Sequence, residues 1–189
     1  MKQIYPTLLL WMGACVLTGG PVGAEEAPPA IQQLARTELV SLGTDPVIVA
    51  AVKAQNAKGI SLERIQELDA TWQKTAGVAD FMRELMESEC GQHLQQLQEK
   101  AGYYAEVFVM DKLGANVCMT NKTSDYWQGD EDKFRNSYKG GSGGVFVDEV
   151  RFDESSQTYL VQASVPVKDG DKVIGAITIG IDVDAFEGR

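Results

Sequence analysis

Histidine occurs once in the 189 residues, as His93, and cysteine three times. A metal centre built on two or more histidines is therefore excluded. No two cysteines have the Cys-x-x-Cys spacing of a redox or haem-attachment motif. The glycines at 140–144 lack the Lys-Ser/Thr that completes a phosphate-binding loop. Spacing indicates no nucleophile–base pair, so neither catalysis nor a cofactor is expected. His93 falls in a helical stretch, and reads as a solvated or core-edge helix residue. Basic residues are also in short supply, 17 against 27 acidic, for a net charge of −10. A surface of that sign does not hold nucleic acid or anionic lipid by bulk electrostatics.

Long apolar runs are equally scarce. One spans Leu8 to Leu17, follows Lys2 and is broken by Gly19-Gly20-Pro21. Val22-Gly23-Ala24 then places small residues just before Glu25-Glu26. This is the order of a secretory signal peptide cleaved after Ala24. The run is shorter than the roughly 20 residues a membrane-spanning helix needs. Two alternatives stay open. One is an uncleaved anchor. The other is lipid attachment at Cys15, because Met12-Gly13-Ala14-Cys15 resembles a lipoprotein box with Met12 in the usual leucine position. The expected location is periplasmic. The expected mature part, from Glu25 to Arg189, suits one domain and carries no output domain after it.

The mature N-terminal part reads as helical. Ile31, Leu34, Ala35 and Leu39 recur at helical spacing until Gly43. Asp45 caps a second helix with Pro46 at its first position. Ser61 opens a third, with Leu62, Ile65, Leu68 and Trp72 along one side. A long helix is expected from about Val78 to Ala101, with Phe81, Met82, Leu85, Met86, Cys90, Leu94 and Leu97 as its stripe. After Gly102 the pattern turns to strands. Ala105 to Met110 and Asn116 to Thr120 flank an Asp111-Lys112-Leu113-Gly114 turn. A polar, aromatic loop runs from Asn121 to Asp130, and Glu131 to Tyr138 suits a short helix. Lys139 to Gly144 reads as a flexible connection. Strands then follow at Val145 to Val150, Tyr159 to Val167 and Val173 to Val183, with turns at Asp153-Glu154-Ser155-Ser156 and Lys168 to Asp171. Helices first and about five antiparallel strands second is an α+β order. The divisions read as a leader at 1–24, a helical region at 25–76 and a sheet-bearing domain at 77–189. Cys90 and Cys118 remain after leader cleavage. They pair in an oxidising compartment or stay as buried thiols.

The stretch Thr123-Ser124-Asp125-Tyr126-Trp127-Gln128-Gly129-Asp130-Glu131-Asp132-Lys133-Phe134, set behind a long helix, resembles the extracytoplasmic Cache (PDC-type) sensor fold of bacterial receptors. Asp45-Pro46, Asn56 and Leu68-Asp69-x-x-Trp72 are similar to stand-alone periplasmic members, and the closing Val173-Ile174-Gly175 resembles a pattern common in the family. The resemblance implies a PAS-like sheet with long helices packed on it. It also implies a small organic ligand such as an amino acid, amine or carboxylate, held between the sheet and the loop before its third strand. Partners on this reading are a membrane receptor or kinase, or a second copy in a homodimer. A structural or interaction protein of the same fold, without a ligand, is the alternative.

Candidate binding residues follow from chemistry. Tyr126 and Trp127 offer flat faces that could cover a ligand or enclose an ammonium, or could plug the core under a loop. Asp125 can accept from an amine or cap a turn. Arg135 can fork onto a carboxylate, with Tyr138 one turn beyond. Alternation puts Gln162 and Ser164 opposite Val161, Ala163 and Val165. It sets Gly180 and Asp182 opposite Ile179 and Ile181, and Asp148 beside Phe146. One sheet face is then apolar and meets the long helix, while the other is small and polar, with Gly180 leaving space. Mass spectrometry of protein exported by its own host checks the leader: a mature chain starting at Glu25 is expected, and a lipid-modified Cys15 would replace it.

Overall fold

The computed structural model describes residues 25–153 and 157–189. The leader with Cys15 and the turn residues Glu154-Ser155-Ser156 lie outside the described residues. Among the described residues the fold is α+β: seven α-helices precede, interrupt and follow one six-stranded antiparallel sheet.

Local signals in the chain account for most element ends. Helix α1 (Pro29–Thr37) runs into a 3-10 turn over Leu39–Thr44 rather than continuing to Leu42. Asp45 caps α2 (Pro46–Ala57), its Oδ1 accepting from the Val47 and Ile48 amides. Its Oδ2 meets His93 Nε2 at 2.9 Å, so the single histidine braces a helix cap. Ser61 caps α3 (Leu62–Lys74) through the Arg64 amide.

The expected long helix is two helices, α4 (Asp80–Glu87) and α5 (Glu89–Ala101). Ser88 breaks the run with extended backbone, and its Oγ caps α5 through the Gly91 amide at 3.0 Å. Gly91 then sits so close to the end of α4 that an added Cβ would lie 2.2 Å from the Met86 carbonyl oxygen. Met82, Met86, Cys90 and Leu94 recur every four residues across the break, which is why it reads as continuous.

Strands β1 (Tyr104–Met110) and β2 (Asn116–Met119) form the expected hairpin, with the Asp111 carboxylate accepting from the Leu113 and Ala115 amides. Helix α6 (Asp132–Tyr138) follows the aromatic loop. The Gly-rich connection is wound and bonded, with the Gly143 and Gly144 amides returning to the Tyr138 and Ser137 carbonyls. The strand expected over Val145 to Val150 is two short ones, β3 (Phe146–Val147) and β4 (Arg151–Asp153). Between them Val150 donates to the Glu25 carbonyl at 2.8 Å. Long strands β5 (Thr158–Asp169) and β6 (Lys172–Asp182) complete the sheet, and α7 (Val183–Glu187) closes the described chain. The order is β2-β1-β6-β5-β3, with β4 also on β5.

The sheet register sorts the two faces. Val107, Ile179 and Ala163 align across β1, β6 and β5, as do Val109, Ile177 and Val165. This inner face is roofed by Leu94 of α5, as expected, and also by Ile31 and Leu34 of α1, Leu39, and Ile48 and Val52 of α2. The N-terminal helices thus spend their apolar sides on the sheet. Each fully buried aliphatic side chain there contributes about 1.5–3 kcal/mol. A second core cluster covers one end of the outer face, around Trp72, Phe108, Met110, Tyr126 and Phe134.

Cys90 of α5 and Cys118 of β2 form a disulfide, with Cα atoms 5.8 Å apart and a sequence separation of 28. It ties the roof to the edge strand. Cys118→Ser, or reduction, is expected to lower unfolding free energy by about 3 kcal/mol, read by urea denaturation with and without reductant.

Candidate functional site: a divided cleft on the outer sheet face

The uncovered end of the outer face carries one row of side chains. Glu106, Gly180, Gln162 and Asp148 lie side by side on β1, β6, β5 and the residue after β3. Gln162 Nε2 donates to Glu106 Oε1 at 2.8 Å, across the intervening β6. Gly180 permits this: a Cβ there would lie 2.6 Å from Glu106 Cγ. The space that the glycine opens is therefore filled by the Glu106 side chain.

Two cavities meet over this row. The inner one, about 200 Å³, is lined by Glu106, Gln162, Asp148, Arg151, Asp153 and Leu160, among others. The outer one, about 580 Å³, adds Asp130, Glu131, Lys133 and Arg135 from the start of α6 and the loop before it. Asp148, Arg151 and Gln162 border both. Lys133 reaches in from α6, pairs with Glu131 at 3.0 Å and stands 5.4 Å from the centre of the Phe108 ring. Arg151 faces Asp148 through Nε–Oδ2 at 3.3 Å and Nη2–Oδ1 at 3.4 Å. A separate groove of about 530 Å³ lies between α2 and the α4–α5 junction, floored by Ala50, Ala51 and Ala54.

Burial raises the Glu106 carboxyl above its ordinary value of 4.5, while the Gln162 amide and the Lys133 ammonium pull it back and Asp153 and Glu131 push it up. The cleft thus holds a carboxylate that is costly to keep charged, with Arg151 in the same lining and Lys133 and Arg135 in that of the outer cavity. Such a lining can pair with a ligand's ammonium, its carboxylate, or both.

The residues nominated from sequence divide. Asp148 and Gln162 line both cavities, and Arg135 lines the outer one from an exposed position. Ser164 is fully buried and shares a hydrogen bond of 2.8 Å with Thr178. Tyr126 is a core residue, 5.6 Å from Trp72 ring to ring, and burial pushes its hydroxyl up to about 12. Trp127 is half-buried over the loop, its indole donating to the Leu113 carbonyl at 2.8 Å. Tyr138 stacks on Phe134 at 5.2 Å, and burial and the Asp111 charge raise its hydroxyl. The Asp125 carboxylate accepts from Ser124 Oγ at 2.6 Å, and its carbonyl accepts from Asn116, Thr123 and Gln128 side chains. Asp182 caps α7 through the Ala185 amide. Asp69 holds the loop from α3 by accepting from the Tyr126 and Trp127 amides, and Trp72 donates to the Thr123 carbonyl.

Glu106, Lys133 and Arg151 were not nominated. For Glu106 a signal existed: it is a lone charge in an apolar strand, on the face opposite Val107 and Val109. Arg151 carried none, because it lies just beyond the strand expected over Val145 to Val150.

No family model and no curated protein matches the chain. Solved structures do. The chain is similar to the sensor domain of the V. cholerae histidine kinase DctB, at 16% identity and a TM-score of 0.47, over 84% of this chain and 52% of that one. It is similar to the ligand-binding domain of the Campylobacter jejuni chemoreceptor Tlp3 in complex with 4-methylisoleucine, at 12% identity and 0.42, over 85% and 63%. It is also similar to the ligand-binding domain of the Pseudomonas aeruginosa amino acid chemoreceptor PctC in complex with GABA, at 12% and 0.38, over 80% and 61%. The chain spans between about half and two thirds of these domains. These neighbours are sensor or ligand-binding domains.

The sign of the Glu106 effect follows from linkage. A raised folded value means that folding takes up a proton between 4.5 and that value, so stability falls as pH rises through the window. Glu106→Gln keeps the acceptor for Gln162 and removes the charge. Its melting temperature is expected above wild type at pH 7 and level with it near pH 4; an equal gain at both would show that charge is not the cause.

Proposed function

We propose that the protein is an extracytoplasmic sensor module that binds a small charged organic molecule in the divided cleft. The ligand class is an amino acid, an amine or a small carboxylate, and the module acts through a membrane partner or a second copy of itself. The observation that supports this most is the half-buried Glu106 carboxylate on the cleft floor, facing a lining of both charge signs. A buried carboxylate costs stability, and such costs concentrate at binding sites. The lining supplies groups that recognise charge, which favours binding over chemistry. No helix among the described residues is long and apolar enough to cross a membrane.

One observation favours the alternative, a protein that keeps the fold without a ligand. Tyr126 and Ser164 are packed away, and Glu106 itself fills the gap over Gly180.

Calorimetry and thermal shift with amino acids, amines and small carboxylates separate the two. A saturable heat is expected, with stabilisation of about 2.7 kcal/mol at a ligand concentration one hundred times Kd. Glu106→Gln should weaken binding at least tenfold. Silence from all three classes would leave the ligand-free alternative standing.

A further inference from the structure

We propose that the Asp148–Arg151 ion pair is an exchangeable bar across the cleft, which a ligand opens by taking one of its charges from the other. The proposal rests on reading the cleft as a ligand site. The bar sits at the boundary, since Asp148, Arg151 and Gln162 are the residues that the inner and outer chambers share. Its two contacts, 3.3 and 3.4 Å, have the forked form of an arginine–carboxylate pair. Both are longer than the 2.7–2.9 Å typical of a strong one. The Arg151 side chain is 67% exposed and that of Asp148 25%, so water competes for the pair and it holds weakly. Glu149 stands 3.9 Å from the same guanidinium, a second acceptor that can steady Arg151 as it lets Asp148 go. The elements that carry the bar are short, two residues in β3 and three in β4.

The exchange conserves charge. A ligand carboxylate takes the Arg151 fork in place of Asp148. Asp148 is then left without its partner and accepts from a cationic group of the ligand. A carboxylate alone leaves Asp148 without its cation, an amine alone leaves Arg151 with only the 3.9 Å contact to Glu149, and a ligand with both charges pairs both halves. The bar therefore sets which charges the cleft accepts, and the apo pair stands in for the ligand's own ends.

The test compares wild type, Asp148→Asn and Arg151→Gln with three matched probes: leucine, isopentylamine and 4-methylpentanoate. Affinities are read by NMR titration, with thermal melts confirming that each variant folds. Asp148→Asn frees Arg151, so 4-methylpentanoate should bind about two- to fivefold tighter, while isopentylamine weakens about tenfold. Arg151→Gln should move the two probes in the opposite directions. Parallel weakening of all three probes in both variants would overturn the bar and leave the cleft as a ligand site. No binding of any probe to wild type or to either variant, with other small ligands binding, would also overturn it. Silence throughout would instead remove the ligand-site reading on which it rests.

Discussion

An aliphatic sheet face that must be kept from water is the constraint on which this fold depends. Val107, Val109, Ile177, Ile179, Val161, Ala163 and Val165 form an unbroken apolar surface. No single helix covers it. Helices α1, α2 and α5 and the 3-10 turn together make the roof, and the disulfide from α5 to β2 pins one corner. With that side closed, strand alternation sends every intervening residue outward. The outer face is then divided by its own chemistry. Phe108, Met110 and Ala176 take aromatic cover from the loop and α6, while Glu106, Gln162 and Asp148 stay open to the cleft.

The architecture was legible because it rests on short-range rules. Period-two alternation marks β5 and β6, and Asp45-Pro46 and Ser61 mark helix starts by side-chain capping. The break at Ser88 was not legible. Met82, Met86, Cys90 and Leu94 recur every four residues across it, and Gly91 packs against the end of α4 only once the chain has folded there. The split of β3 from β4 is hidden too: between them Val150 bonds to the carbonyl of Glu25, far away in sequence.

The site was legible where alternation decided it, at Gln162 and Asp148. It misled where residue type decided it. Tyr126 and Trp127 look like ligand covers by composition, yet Asp69 grips both of their amides and Trp72 holds the carbonyl of Thr123. These anchors lie more than 50 positions away, so no local pattern shows that the loop is a fastening. Asn56 has the same character, bonding the Ile174 carbonyl and the Lys112 amide to secure α2 to the sheet.

The hydrogen bond between Glu25 and Val150 joins the first described residue to the wall of the cleft. A load applied to the backbone at Glu25 passes to the peptide beside Arg151 through one bond, without first crossing the helical roof. On the proposed reading of the cleft, a pull at Glu25 and occupancy of the cleft bias one another by the same free energy. The cleft wall is in this sense half of a mechanical couple whose other half is the entry of the chain into the domain.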